Sequence, residues 1–85
     1  MSLRWERRLA PRRNTAIEAK IVFAGGSSER PCIVRNVSES GARIEVASVR
    51  GIPDTFDLVV PGHYPQPCRI AWRALKEMGV AYETR

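Results

Sequence analysis

Histidine occurs once in these 85 residues, and cysteine, tryptophan and lysine twice each. Each scarcity closes off a class of chemistry. His63, set in Pro61-Gly62-His63-Tyr64-Pro65, has no partner for a metal site or a Ser-His-Asp arrangement and reads as a turn residue. Cys32 and Cys68 stand 36 positions apart, outside any CxxC or Cys/His cluster, so zinc and dithiol chemistry are not expected and both read as small buried hydrophobes. No apolar run approaches the roughly 18 residues of a membrane helix, and Met1 to Arg8 contain no apolar segment resembling a signal peptide. The expectation is a cytoplasmic protein without membrane insertion. No acid/base pair and no nucleophile beside a base is legible, so an enzyme is not expected, nor a metal or cofactor.

What is present is a chain with 44% apolar residues, enough to fold and short enough for only one domain. Its 14 basic residues outnumber its 9 acidic ones, a net charge of +5. The excess is not evenly spread. Residues 1 to 13 hold Arg4, Arg7, Arg8, Arg12 and Arg13 against Glu6, a net of +4, whereas residues 14 to 85 hold nine basic and eight acidic groups, a net of +1. Of the 14 basic residues 12 are arginine, whose planar fork makes paired hydrogen bonds to phosphate, carboxylate or a guanine edge. Such a segment expects an anionic partner. Pro11 and the small number of apolar residues argue against a helix there. Residues 1–14 are therefore read as a flexible basic arm and 15–85 as the folded body.

From residue 15 onward the apolar residues recur every second position. Ile17, Ala19, Ile21 and Phe23 precede Gly25-Gly26-Ser27-Ser28, a hairpin loop; Pro31 to Val37 form a second β-rich stretch; Ala42, Ile44 and Val46 follow Ser38-Glu39-Ser40-Gly41. Phe56, Leu58 and Val60 suggest a fourth strand, Cys68 and Ile70 a fifth with Trp72 continuing its core face, and Met78, Val80 and Tyr82 a sixth. Arg69 and Arg73 fall on the other face of strand five. Residues 47 to 54 have room for a short helical turn. No window carries a 3.6-residue apolar stripe. The fold expected is all-β, a small six-stranded antiparallel barrel, since closure removes unprotected edges.

Two patterns stand together in this frame. Arg8-Leu9-Ala10-Pro11-Arg12 places arginines four apart, and about 25 residues later Asn36-Val37-Ser38-Glu39-Ser40-Gly41 places Asn, Ser and Gly at i, i+2 and i+5. The pair resembles the RxxxR and [D/N]xSxxG motifs of the PilZ domain, the bacterial receptor module for cyclic di-GMP. The strand order, the Gly79-Val80-Ala81-Tyr82 ending and the length are similar as well. The resemblance implies a PilZ-type barrel whose ligand, cyclic di-GMP, is bound by Arg8, Arg12, Asn36, Ser38 and Gly41, with Arg7, Arg13 and Arg43 as additional candidates.

The chemistry of these residue types fits such a ligand. Cyclic di-GMP offers two phosphodiester charges, two guanine edges with adjacent O6 and N7 acceptors, and flat purine faces. Arginine answers all three. The Asn36 carbonyl can accept from guanine N1 and N2, the Ser38 hydroxyl suits a phosphate oxygen or a guanine edge, and Gly41 leaves the backbone bare for a base or free to take a positive φ. The resemblance further implies an arm that orders on binding and a downstream protein that reads the change, in motility, adhesion or polysaccharide synthesis. Two other readings fit the composition: a single-stranded nucleic-acid binder, disfavoured by there being only six aromatics and by excess charge concentrated on the arm, and a PilZ-fold interaction domain without ligand.

Overall fold

The computed structural model describes residues 13–83, and for Arg13 and Asn14 the backbone alone. Six strands, β1 (Arg13–Phe23), β2 (Ser28–Val37), β3 (Gly41–Glu45), β4 (Thr55–Val59), β5 (Gln66–Arg73) and β6 (Glu77–Tyr82), account for almost all regular structure. They close into a barrel in the order β1-β2-β3-β6-β5-β4, each neighbouring pair antiparallel. This is the six-stranded all-β barrel expected from the alternation. β1 opens at Arg13, so residues 13 and 14, grouped above with the arm, pair with β2. No helix among the described residues is long and apolar enough to cross a membrane.

The short helical turn occurs elsewhere than expected. Ala24–Gly26 form a 3-10 turn at the β1–β2 hairpin, where Ala24, Gly25 and Gly26 all have positive φ. Residues 47 to 54 are not helical, because their carbonyls are taken by side chains from the barrel wall. Arg30 of β2 donates to the Arg50 carbonyl (2.6 Å) and, at 3.4 Å, to that of Ser48. Arg73 of β5 donates to the Ile52 carbonyl (2.9 Å) and the Asp54 carboxylate (2.6 Å). Pro53 has no N–H with which to continue a helical ladder. Two arginines thus hold the β3–β4 connection against the barrel.

The core follows the alternation along each strand: Ala19 and Ile21, Cys32 and Val34, Ile44, Phe56 and Leu58, Cys68, Met78 and Val80 are buried. Ile21, Ile44, Cys68 and Met78 are fully enclosed. Three register shifts interrupt the ladders: one lies in β1 against β2, between Asn14 and Ile17, and the other two turn side chains of β2 and β5. Between Val34 and Asn36, β2 advances two residues while β3 advances one, from Ile44 to Arg43. Between Ile70 and Trp72, β5 advances two while β6 advances one, from Val80 to Gly79. Each extra residue is a β-bulge, and because side chains alternate with period two, one extra residue turns those beyond it to the opposite face. Val37, not Asn36, accordingly packs against the core, and Trp72 leaves it.

This corrects two expectations for β5. Trp72, projected into the core from the Cys68/Ile70 alternation, is 46% exposed. Arg69 and Arg73 do not share a face: Arg69 stands opposite Ala81 and Arg73, beyond the bulge, opposite Met78.

The cysteines behave as buried hydrophobes. Burial pushes the Cys32 thiol from 9.0 up to about 11. The Cys68 thiol rises to about 12, through burial first and the nearby Asp57 carboxylate second. Burial also raises the Tyr82 hydroxyl. An unfolded thiol ionises near 9.0 and the folded ones do not, so their contribution to stability is full below pH 9 and is lost as pH climbs through about 11 to 12. The denaturant midpoint is therefore expected to fall across that alkaline window. A midpoint unchanged to pH 12 would contradict the raised thiols.

Candidate functional site

The β2–β3 turn is built by its own sequence. The Ser38 N–H donates to the Gly41 carbonyl (2.9 Å), and the Ser38 hydroxyl lies 3.4 Å from that carbonyl, from the Ser40 N–H and from the Ser40 hydroxyl. The Tyr82 N–H donates to the Ser40 carbonyl (2.9 Å), tying the turn to β6. Gly41 is not among the positive-φ residues. Glycine is required there by close approach, since a Cβ would run into the Val80 carbonyl oxygen across the β3–β6 ladder.

A row of residues crosses three strands beside this turn. Asn36 of β2 stands opposite Arg43 of β3, Arg43 opposite Gly79 of β6, and Gly79 opposite Trp72 of β5. Both bulges contribute, one bringing Asn36 and the other Trp72 to this outer face. Gly79 supplies the remaining condition: a Cβ would collide with the indole, so its absence lets the Trp72 ring come down onto the strand. The result is a pocket of about 290 Å³ lined by Asn36, Ser38, Gly41, Arg43, Trp72 and Gly79, among others.

Four of the residues selected from sequence, Asn36, Ser38, Gly41 and Arg43, therefore share one pocket. Arg13 contributes its backbone to β1 opposite Val37, with its side chain outside what is described. Arg7, Arg8 and Arg12, and with them the expected flexible arm, lie outside the described residues. Trp72, for which the sequence favours the core over a stacking platform, is a pocket residue. The available signal was Gly79, a glycine at an outward position in mid-strand, which invites a ring from the neighbouring strand.

The pocket's electrostatics are nearly balanced. Arg43 is the charged side chain that lines it, and its Nη1 donates to Glu77 Oε1 at 2.8 Å. Other barrel cations are engaged similarly: Lys20 with Glu29 (3.3 Å), Arg35 with Glu45 (3.8 Å), Arg69 with Glu83 (2.8 Å) and Arg73 with Asp54 (2.6 Å). A larger concavity of about 720 Å³ lies on the β1–β2 side. It is mainly apolar and carries Glu18 and Glu45 against Lys20, a poor lining for an anion. Among the described residues no three His, Cys, Asp or Glu side chains gather as a metal site requires.

The family model of the PilZ domain matches residues 6–85, a span that contains both motifs and all six strands. The chain belongs to the PilZ domain family. PilZ domains are cyclic di-GMP-binding modules, a receptor family rather than a catalytic one. No curated protein matches this PilZ domain. Gly79→Ala is expected to lift the Trp72 ring off β6 while leaving the barrel folded. The Trp72 indole resonance in a nitrogen-labelled sample should move and the core methyl resonances should not; an unmoved indole would show that the ring does not rest on Gly79.

Proposed function

We propose that this PilZ domain is a cytoplasmic receptor for cyclic di-GMP, which it holds between the outer-face pocket and the arginines preceding β1. The observation that carries the proposal is where β1 begins: Arg13 pairs with Val37 and Asn14 with Asn36, along the edge of the pocket. Arg12 is one Cα step of about 3.8 Å from Arg13, and Arg8 at most about 14 Å further along the chain. Connectivity alone keeps both guanidinium groups within reach.

Size and charge support the same division of labour. At about 290 Å³ the pocket sits at the small end of ligand sites, which run from roughly 300 to 1,000 Å³, so it suits part of a cyclic dinucleotide rather than all of it. A dianion needs positive charge that the barrel has largely committed to its own carboxylates, whereas residues 1–13 carry a net of +4. Arg8 and Arg12 take the guanine O6/N7 edges and the phosphates, with Arg7, Arg13 and Arg43 adding phosphate contacts. Asn36 accepts from the guanine N1/N2 edge, Ser38 donates to a phosphate oxygen, and the bare Gly41 backbone lets the ligand approach. Trp72 offers a ring face to a purine, a contact worth about 1–3 kcal/mol.

Ligand that touches both arm and barrel favours the arrangement in which the two are together, so binding shifts the population toward it. The surface changed in this way is what a downstream protein reads, in motility, adhesion or polysaccharide synthesis. No cofactor takes part.

Calorimetric titration with cyclic di-GMP, GMP and a short single-stranded oligonucleotide tests the reading. Saturable binding of cyclic di-GMP is expected, weakened by about 1–3 kcal/mol in each of Arg8→Ala and Arg12→Ala. Preference for the oligonucleotide with a steep salt dependence would identify a nucleic-acid binder instead. Binding of none of the three would leave a PilZ fold used for protein interaction alone.

A further inference from the structure

We infer that Glu77 is an internal competitor for the ligand's phosphate, holding Arg43 while the pocket is free of ligand and yielding it when a phosphodiester enters. The inference rests on the cyclic di-GMP reading above and adds a residue outside both sequence motifs that sets its affinity.

The register gives the geometry. Along the β3–β6 ladder Gly41 faces Ala81, Arg43 faces Gly79, and Glu45 faces Glu77. Glu77 is therefore two inter-strand pairs further from the β2–β3 turn than Arg43 is, the next pair on the same face, and the 2.8 Å bond engages the guanidinium on the side away from that turn. Gly79, directly opposite Arg43 and two residues from Glu77 along β6, has no side chain of its own, and the Trp72 indole occupies the place its Cβ would take. Arg43 lines the pocket and Glu77 does not, so a phosphate in the pocket and the Glu77 carboxylate approach the same guanidinium from different sides.

The electrostatic surroundings make the exchange costly but feasible. Glu77 stands directly opposite Glu45, a like-charge pair that is unfavourable on a sheet unless cations attend it. Two do: Arg35 at 3.8 Å from Glu45 and Arg43 at 2.8 Å from Glu77. When Arg43 turns toward a phosphate, Glu77 is left beside Glu45 with one cation fewer, and that cost is subtracted from binding. The side chains of Arg43 and Glu77 are 38% and 39% exposed, so water screens the pair and the swap needs no rearrangement of the core.

The test is a double-mutant cycle on the full chain with cyclic di-GMP as the probe, read by calorimetry, with thermal unfolding to show that each variant is folded. Glu77→Gln keeps the shape and removes the charge, and should tighten binding about 1.4- to fivefold, the range to which the strength of an exposed ion pair converts. Arg43→Ala should weaken binding, and adding Glu77→Gln to it should bring no gain. Unchanged or weaker binding by Glu77→Gln overturns the inference while leaving the receptor reading intact. A gain that persists without Arg43 overturns it too, because Glu77 would then act only as distant charge. Binding by Glu77→Gln alone, with none by the wild type, supports both; binding by neither overturns both.

Discussion

In a closed barrel every side chain faces either the core or the outside, and a single extra residue in one strand exchanges the two. The site depends on that constraint being used twice. The bulge before Asn36 delivers Val37 to the core and turns Asn36 to the half-buried outer face; the bulge before Trp72 takes the largest side chain of β5 out of a barrel already filled by Ile21, Ile44, Cys68 and Met78. Neither change would serve alone. Asn36 and Trp72 become parts of one pocket because Arg43 and Gly79 lie between them, and because Gly79 gives up its side chain to the indole. Core packing, ladder register and site geometry are here the same fact.

Arginine, the chain's dominant cation, serves two kinds of purpose. Arg30 and Arg73 bind carbonyls and fix the irregular β3–β4 connection, and Arg35, Arg69 and Arg73 sit beside carboxylates on the barrel wall. These side chains do structural work, each exposed pair contributing little by itself. Arg43 is intermediate, in the pocket yet held by Glu77. By sequence the net positive charge is concentrated in residues 1–13, and β1 starts alongside Val37 and Asn36.

Much of this was legible from the residues. Period-two alternation located all six strands, because a barrel with one buried face forces that pattern on every strand, and the Asn36/Ser38/Gly41 spacing located the turn that borders the pocket. What failed was extrapolation through a bulge. Trp72 looked like core because Cys68 and Ile70 are, and nothing in Ile70-Ala71-Trp72 announces the extra residue; only pairing with Gly79 does. Gly41 was open to a conformational or a ligand-facing explanation, and the ladder supplied a third, the Val80 carbonyl. The helical turn allowed in 47 to 54 was displaced by distant arginines, a tertiary effect invisible in the local sequence.

The most direct test of the central claim, that the outer-face pocket receives the cyclic dinucleotide, is an amide chemical-shift map of the labelled protein during titration with cyclic di-GMP. Perturbations are expected to concentrate at 36–43, 71–72 and 79–81, with the Trp72 indole among the largest. Perturbations gathered instead at 18–20, 31–33 and 45–47, around the larger apolar concavity, would contradict that claim.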